Sequence, residues 1–319
     1  MIVDAQDTAR KVLLANGCGA GDVLVLTAAI RDLHCAHRAR YVTGVETCFP
    51  DIWANNPYTT SLEPGDPEVI RIDCGHPPLL DRCNHEPRHY VESVHDLLRG
   101  RLGVEIPLTR FAPDLHLSEE EKTGVPHGLQ APYWVIVGGG KRDLTIKWWP
   151  TTFYQEVVDH FAGRITFVQV GGGGDYHPPL RGVVNLVGKT TIRELIRLVY
   201  HAAGVVSPVT CVMHIAAAFD KPCVVVAGGR EPPHWEMYPM HQFLHTVGQL
   251  ACCARGGCWK ARVVPLGDGD EDRDHNLCLC PTELDGQAVA RCMAMIEPID
   301  VCRALERYRS GLLTPVLNG

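Results

Sequence analysis

The sequence has no uninterrupted apolar run of about 18 residues, so nothing in it reads as a helical membrane span. At Met1-Ile2-Val3-Asp4 it lacks the charged-then-apolar layout of a secretory leader, which makes the cytoplasm the expected compartment. Positive charge is in deficit: 30 Lys and Arg stand against 37 Asp and Glu, a formal charge of -7. That balance offers no general attraction to nucleic acid or to an anionic membrane, so any anion site has to be local. A repeat of solenoid length is absent as well.

What is present is an alternation of strand and helix patterns. The 319 residues exceed one ordinary domain and suit two of about 150 residues, each with its own core. Residues 11–16 read as a strand, followed by a turn through Gly17, Gly19 and Gly21 and a helix over 22–34. Residues 41–43 and 69–72 read as strands, and 90–102 as a helix stopped by Gly103. The polar, acidic stretch 115–122 and the turn formers of 124–132 mark a domain end at residue 129. Beyond it, strands at 133–137, 165–170, 203–206 and 223–226 alternate with helices, the pattern of a parallel sheet. The expectation is an α/β protein with two doubly wound, Rossmann-like domains, 1–129 and 130–297, facing a cleft, and a closing helical segment 298–319.

Three segments suit a phosphorylated ligand. Residues 207–218 run from a strand end through a polar turn at Thr210 into a helix carrying Val212, Met213 and His214, whose first-turn N–H groups are free to face an anion. Residues 138–150 place Gly139, Lys141, Thr145 and Lys147 in a glycine-led turn where backbone, hydroxyl and ammonium can approach phosphate oxygens. Residues 228–235 lie at the carboxyl end of the last strand, where Glu231 suits ribose or sugar hydroxyls; alternatively Arg230 and Glu231 form a local ion pair.

Fourteen cysteines without a leader read as core residues, metal ligands or thiols rather than disulfides. Cys252, Cys253, Cys258, Cys278, Cys280 and Cys292 cluster within 250–293, in a loop too polar to bury them, and four thiolates from such a set suit zinc or iron. Other motifs are set aside. His85-Glu86-Pro87-Arg88-His89 has the metalloprotease letters, but Pro87 breaks the helix they need. Residues 267–274 lack the glycine and glutamate of a calcium loop. Residues 17–22 miss the last glycine of the dinucleotide fingerprint.

As a set, four stretches resemble the heptosyltransferases of glycosyltransferase family 9. They are residues 21–30, which open with Gly21-Asp22; Lys147-Trp148-Trp149-Pro150; residues 185–195, which contain Gly188-Lys189-Thr190-Thr191; and Met213-His214-Ile215-Ala216-Ala217-Ala218. The resemblance implies a GT-B fold, a nucleotide-sugar donor held by the second domain, an acceptor held by the first, and inverting transfer of a sugar, with ADP-heptose favoured. It implies that Asp22, at the family's Gly-Asp position, is the base; the competing reading of Asp22 is helix capping. It assigns Lys147 and the Thr210–His214 turn to the leaving diphosphate, so no catalytic divalent metal is expected, and it sends the last helix back to the first domain. The cysteine order resembles the four-cysteine iron site of autotransporter heptosyltransferases, which selects Cys253, Cys258, Cys278 and Cys292, with Cys252 or Cys280 as substitutes. One departure is Val209, where family members commonly carry aspartate. It motivates a second reading, a non-catalytic nucleotide-sugar-binding or assembly protein. The acceptor stays open between a protein, a lipid-linked glycan and a small molecule, and a homo-oligomer is compatible with either reading.

Overall fold

The structure, a computed structural model, describes residues 9–63, 65–75 and 83–313. The leader reading at residues 1–4 and the end of the closing segment, 314–319, lie outside them. The first half is built from β1 (Arg10–Asn16), α1 (Ala20–Ala36), β2 (Tyr41–Thr47), β3 (Val69–Asp73) and α2 (Tyr90–Leu102), with a parallel sheet in the order β2-β1-β3. Residues 83–86 form turn and bend, 87 and 88 belong to no helix or strand, and His89 caps α2, as Pro87 requires. A short α3 (Glu119–Thr123) leads into the second half.

The second half runs β4 (Trp134–Ile136), α4 (Thr151–His160), β5 (Phe167–Gln169), β6 (Val184–Asn185), α5 (Ile192–His201), β7 (Gly204–Pro208), α6 (Cys211–Ala218), β8 (Cys223–Gly228), α7 (Pro233–Glu236) and β9 (His241–His245). These strands form one parallel sheet, β6-β5-β4-β7-β8-β9. Two of the six strands were not expected: β6 is short and exposed, and β9 opens and closes on histidine. Then follow α8 (Glu271–His275), an antiparallel hairpin of β10 (Pro281–Leu284) and β11 (Gln287–Ala290), α9 (Arg291–Ala294) and α10 (Pro298–Arg309).

The cores divide differently from one per domain. Every residue of α1 from 23 to 33 is buried, because the helix is covered on one side by its own sheet and on the other by α6. One cluster therefore runs from Val12 and Leu14 through α1 and α6 to Val135, Val205 and Val225 on one face of the larger sheet. The alternate residues Ile136, Val206 and Val224 point to the opposite face, where α4 and α10 close a second cluster. This second cluster corrects the expected course of the last helix. Val301, Cys302, Ala304 and Leu305 pack into it, Gln242 Nε2 donates to Ala304 O at 2.6 Å, and Tyr308 OH donates to Met240 O at 2.7 Å. The helix thus lies against α4, β8 and β9 of the second half, because its apolar stripe fills that face of the large sheet.

Candidate active site

A cavity of about 360 Å³ opens between the two halves. Gly19, Ala20, Gly21 and Phe49 wall it on one side, and Gly139, Lys141, Lys147 and residues 209–212 on the other. Two glycines shape it. A Cβ on Gly139 would lie 1.9 Å from the carbonyl oxygen of Tyr176, so only glycine lets the two loops exchange their backbone hydrogen bonds at Gly140. A Cβ on Gly21 would lie 3.2 Å from His214 Cδ2, which lets the start of α1 settle against α6.

Asp22 sits half-buried in the first turn of α1, whose N-cap is Gly19. Its Oδ1 accepts a hydrogen bond of 2.5 Å from Tyr90 OH, and its Oδ2 and Lys141 Nζ both border Gly19; Gly19 and Lys141 line the cavity, and Asp22 itself stands just behind the turn. Lys147 Nζ lies 2.6 Å from Glu231 Oε1 and donates to Val209 O at 3.3 Å. Burial works against the Glu231 carboxylate, but Arg230 and Lys147 outweigh it and hold its pKa below the ordinary value. Glu236, next to this group, goes the other way: burial and the charge of Glu231 push it up to about 8.

The expected donor residues separate into two groups. Gly139, Lys141, Lys147, Thr210 and Val212 line the cavity. Thr210 caps α6, its Oγ1 accepting from Val212 N at 3.4 Å and sharing a hydrogen bond with Ser207 Oγ at 2.8 Å. Arg230 and Glu231 stand behind Lys147: Arg230 donates to Lys260 O at 2.8 Å and lies over the Trp259 ring. Thr145 faces away, because its Oγ1 accepts the amide of Val263 at 2.9 Å and anchors that loop. Met213 is wholly buried, and His214 is bonded through Nδ1 to Tyr238 OH at 2.7 Å; both support the turn from inside. Tyr90 and Glu236 went unrecognised in the sequence, where nothing local marks a tyrosine at a helix start as reaching another helix.

The cysteines gather around Gly229. A Cβ there would lie 3.1 Å from Cys253 Sγ and 3.3 Å from Cys292 Cβ, and Cys258 N donates to Gly229 O at 3.1 Å. Burial pushes Cys292 up to about 12, with Cys258, Cys278 and Cys253 adding to the shift. Cys252 is pushed up to about 12 by burial and by its hydrogen bond with Cys280. The donor chemistry suits iron or zinc. Among the described residues, however, no three His, Cys, Asp or Glu side chains are arranged to hold an ion, and Cys253 Sγ is turned toward the carbonyls of Thr246 and Leu250.

Residues 78–254, more than half of the chain, match the family model of glycosyltransferase family 9 (heptosyltransferase). The chain belongs to glycosyltransferase family 9. It is a glycosyltransferase enzyme by that membership. No curated protein matches it. Among solved structures it is similar to the iron-containing dodecameric glycosyltransferase TibC from enterotoxigenic E. coli H10407, with 20% identity and a TM-score of 0.64 over 97% of this chain and 81% of that one. It is also similar to E. coli heptosyltransferase WaaC with ADP-2-deoxy-2-fluoro heptose, with 17% identity and a TM-score of 0.57 over 93% and 99%. For the E. coli ADP-heptose lps heptosyltransferase II the values are 15%, 0.54, 93% and 97%. At these identities the likeness establishes the fold, the GT-B arrangement of family 9 heptosyltransferases. Among the described residues no helix is long and apolar enough to cross a membrane.

Proposed function

We propose that this family 9 enzyme transfers a sugar, heptose favoured, from a nucleoside-diphosphate sugar such as ADP-heptose to a hydroxyl, with inversion. The observation that carries the reading is the single cavity in which the Gly19–Gly21 turn before Asp22 faces Lys141, Lys147 and the start of α6. In this reaction Asp22 accepts the acceptor's hydroxyl proton as its oxygen bonds the anomeric carbon, and the bond to the diphosphate breaks on the opposite side of that carbon. Lys147, Lys141 and the amides opening α6 then take up the charge of the departing diphosphate. Val209 fits this scheme through its main chain, since it is its carbonyl that receives Lys147.

Cys253, Cys258, Cys278 and Cys292 would hold one iron or zinc ion, with Cys252 or Cys280 as substitutes, and such an ion would brace the loop beside α7. The iron-containing TibC and WaaC with ADP-2-deoxy-2-fluoro heptose support the metal and the donor at family level. A cytoplasmic enzyme, assembled as a homo-oligomer, is the setting of this proposal. The test is a side-by-side screen of ADP-, UDP- and GDP-sugars for binding, hydrolysis and transfer. Transfer from an ADP-sugar is expected; binding without hydrolysis or transfer would favour the non-catalytic reading.

A further inference from the structure

Tyr90 begins α2 in the first half and is 5% exposed, and Trp235 lies in α7 of the second half and is 2% exposed. Their rings stack with centroids 5.0 Å apart and planes 18° apart. The segment before α2 is tied to the same region: His234 Nε2 bonds Cys83 O at 2.7 Å, and Asn84 Oδ1 accepts from Gly257 N at 2.8 Å and from Trp259 Nε1 at 3.1 Å. Trp259 in turn meets the face of Trp235 edge-on, with centroids 6.2 Å apart. The Tyr90 phenol, which donates to Asp22, is therefore oriented by the opposite half of the molecule.

We propose that Tyr90 is a positioning residue for Asp22, and that its stack on Trp235 makes the orientation of the base depend on the docking of the two halves. The inference rests on the reading of Asp22 as base. Held at Oδ1, the carboxylate keeps Oδ2 beside Gly19, which lines the cavity. The phenol confines the carboxylate to one orientation, and the gain lies in geometry. Among the described residues, the ionisable groups near Asp22 include Glu236 from α7 and Lys141 from the loop after β4, with Cys18 beside Tyr90.

The experiment compares wild type, Tyr90→Phe, Trp235→Leu and Asp22→Asn, and pairs Tyr90→Phe with Asp22→Asn. Tyr90→Phe keeps the stack and removes only the hydroxyl. It is expected to lower kcat about 10- to 100-fold, the scale of a hydrogen bond to a charged group, with donor KM unchanged and no added loss in the Asp22→Asn background. The Asp22 carboxyl carbon resonance, read at one pH, should shift in Tyr90→Phe, because the hydroxyl that bonds Oδ1 is gone. Trp235→Leu should lower kcat with little further effect once Tyr90 is Phe. Full kcat in Tyr90→Phe, an equal loss in the Asp22→Asn background, or an unmoved carboxyl resonance would each overturn the proposal. Absence of transfer in wild type would instead remove the reading of the site, and the carboxyl resonance would still decide whether Tyr90 holds the Asp22 carboxylate.

Discussion

Lys147 Nζ lies 2.6 Å from Glu231 Oε1, on a carboxylate that is 1% exposed and shared with Arg230. A lysine so held is set in place before a diphosphate arrives, and its charge is already balanced in the resting enzyme. Lys147→Ala is expected to lower kcat at least about 100-fold, as loss of one preorganised charge-stabilising donor does. It should also cost the fold about 3 kcal/mol, the low end for breaking a buried pair, since Arg230 still compensates Glu231. Steady-state kinetics and urea unfolding read the two effects separately. Unchanged kcat would detach Lys147 from the leaving group.

Asp22 is the second prediction. Asp22→Ala should leave donor binding nearly intact and cut transfer at least about 100-fold, the usual scale of a positioned base. Calorimetric titration with donor, beside a transfer assay, checks both halves. Equal transfer in variant and wild type would take Asp22 out of the chemistry.

Stability against pH should carry two opposite signatures. Glu236 is pushed up to about 8 by burial and by Glu231, so its folded form holds a proton that the unfolded chain releases near the ordinary carboxylate value. Its contribution is therefore intact in acid and is lost as pH rises toward about 8. Glu236→Gln should flatten the fall in melting temperature between pH 6 and pH 8. His241, both of whose ring nitrogens are buried without a hydrogen-bond partner among the described residues, is pulled down to about 3 by burial and then by His89. It stays neutral in the fold while the unfolded chain takes up a proton below its ordinary value of 6.5, so stability is lost as pH falls from there. His241→Leu should raise the melting temperature more at pH 5 than at pH 8. Parallel shifts at both pH values would refute that assignment.

The cysteine cluster supplies the last prediction. Protein purified without chelator should contain close to one equivalent of iron or zinc, and Cys258→Ser should lower both metal content and melting temperature. Metal analysis below about half an equivalent in wild type would reject a thiolate site, whose binding energy is also folding energy.

The parts that rest on local pattern were legible in the residues alone. Strand period placed β1, β7 and β8, the Gly17–Gly21 turn placed the start of α1, and Pro87 excluded a helix from 85 to 88. Gly139 reads as a place of close backbone approach in sequence and is one in the structure. Thr145, Met213 and His214 belong to segments that border the cavity but point elsewhere, because segment patterns do not say which way one side chain turns.

The chain's own order of residues thus decides where each strand and helix lies, which turns carry glycine, and that the second half holds a parallel sheet. Local backbone chemistry and the alternation of apolar side chains are enough for that. Only the folded molecule decides that one core crosses from the small sheet to the large one, that α10 stays with the second half, and that Tyr90 meets both Asp22 and Trp235. Those pairings join residues far apart in sequence, and they are selected by how α1 packs between its sheet, α2 and α6, a choice no single segment encodes.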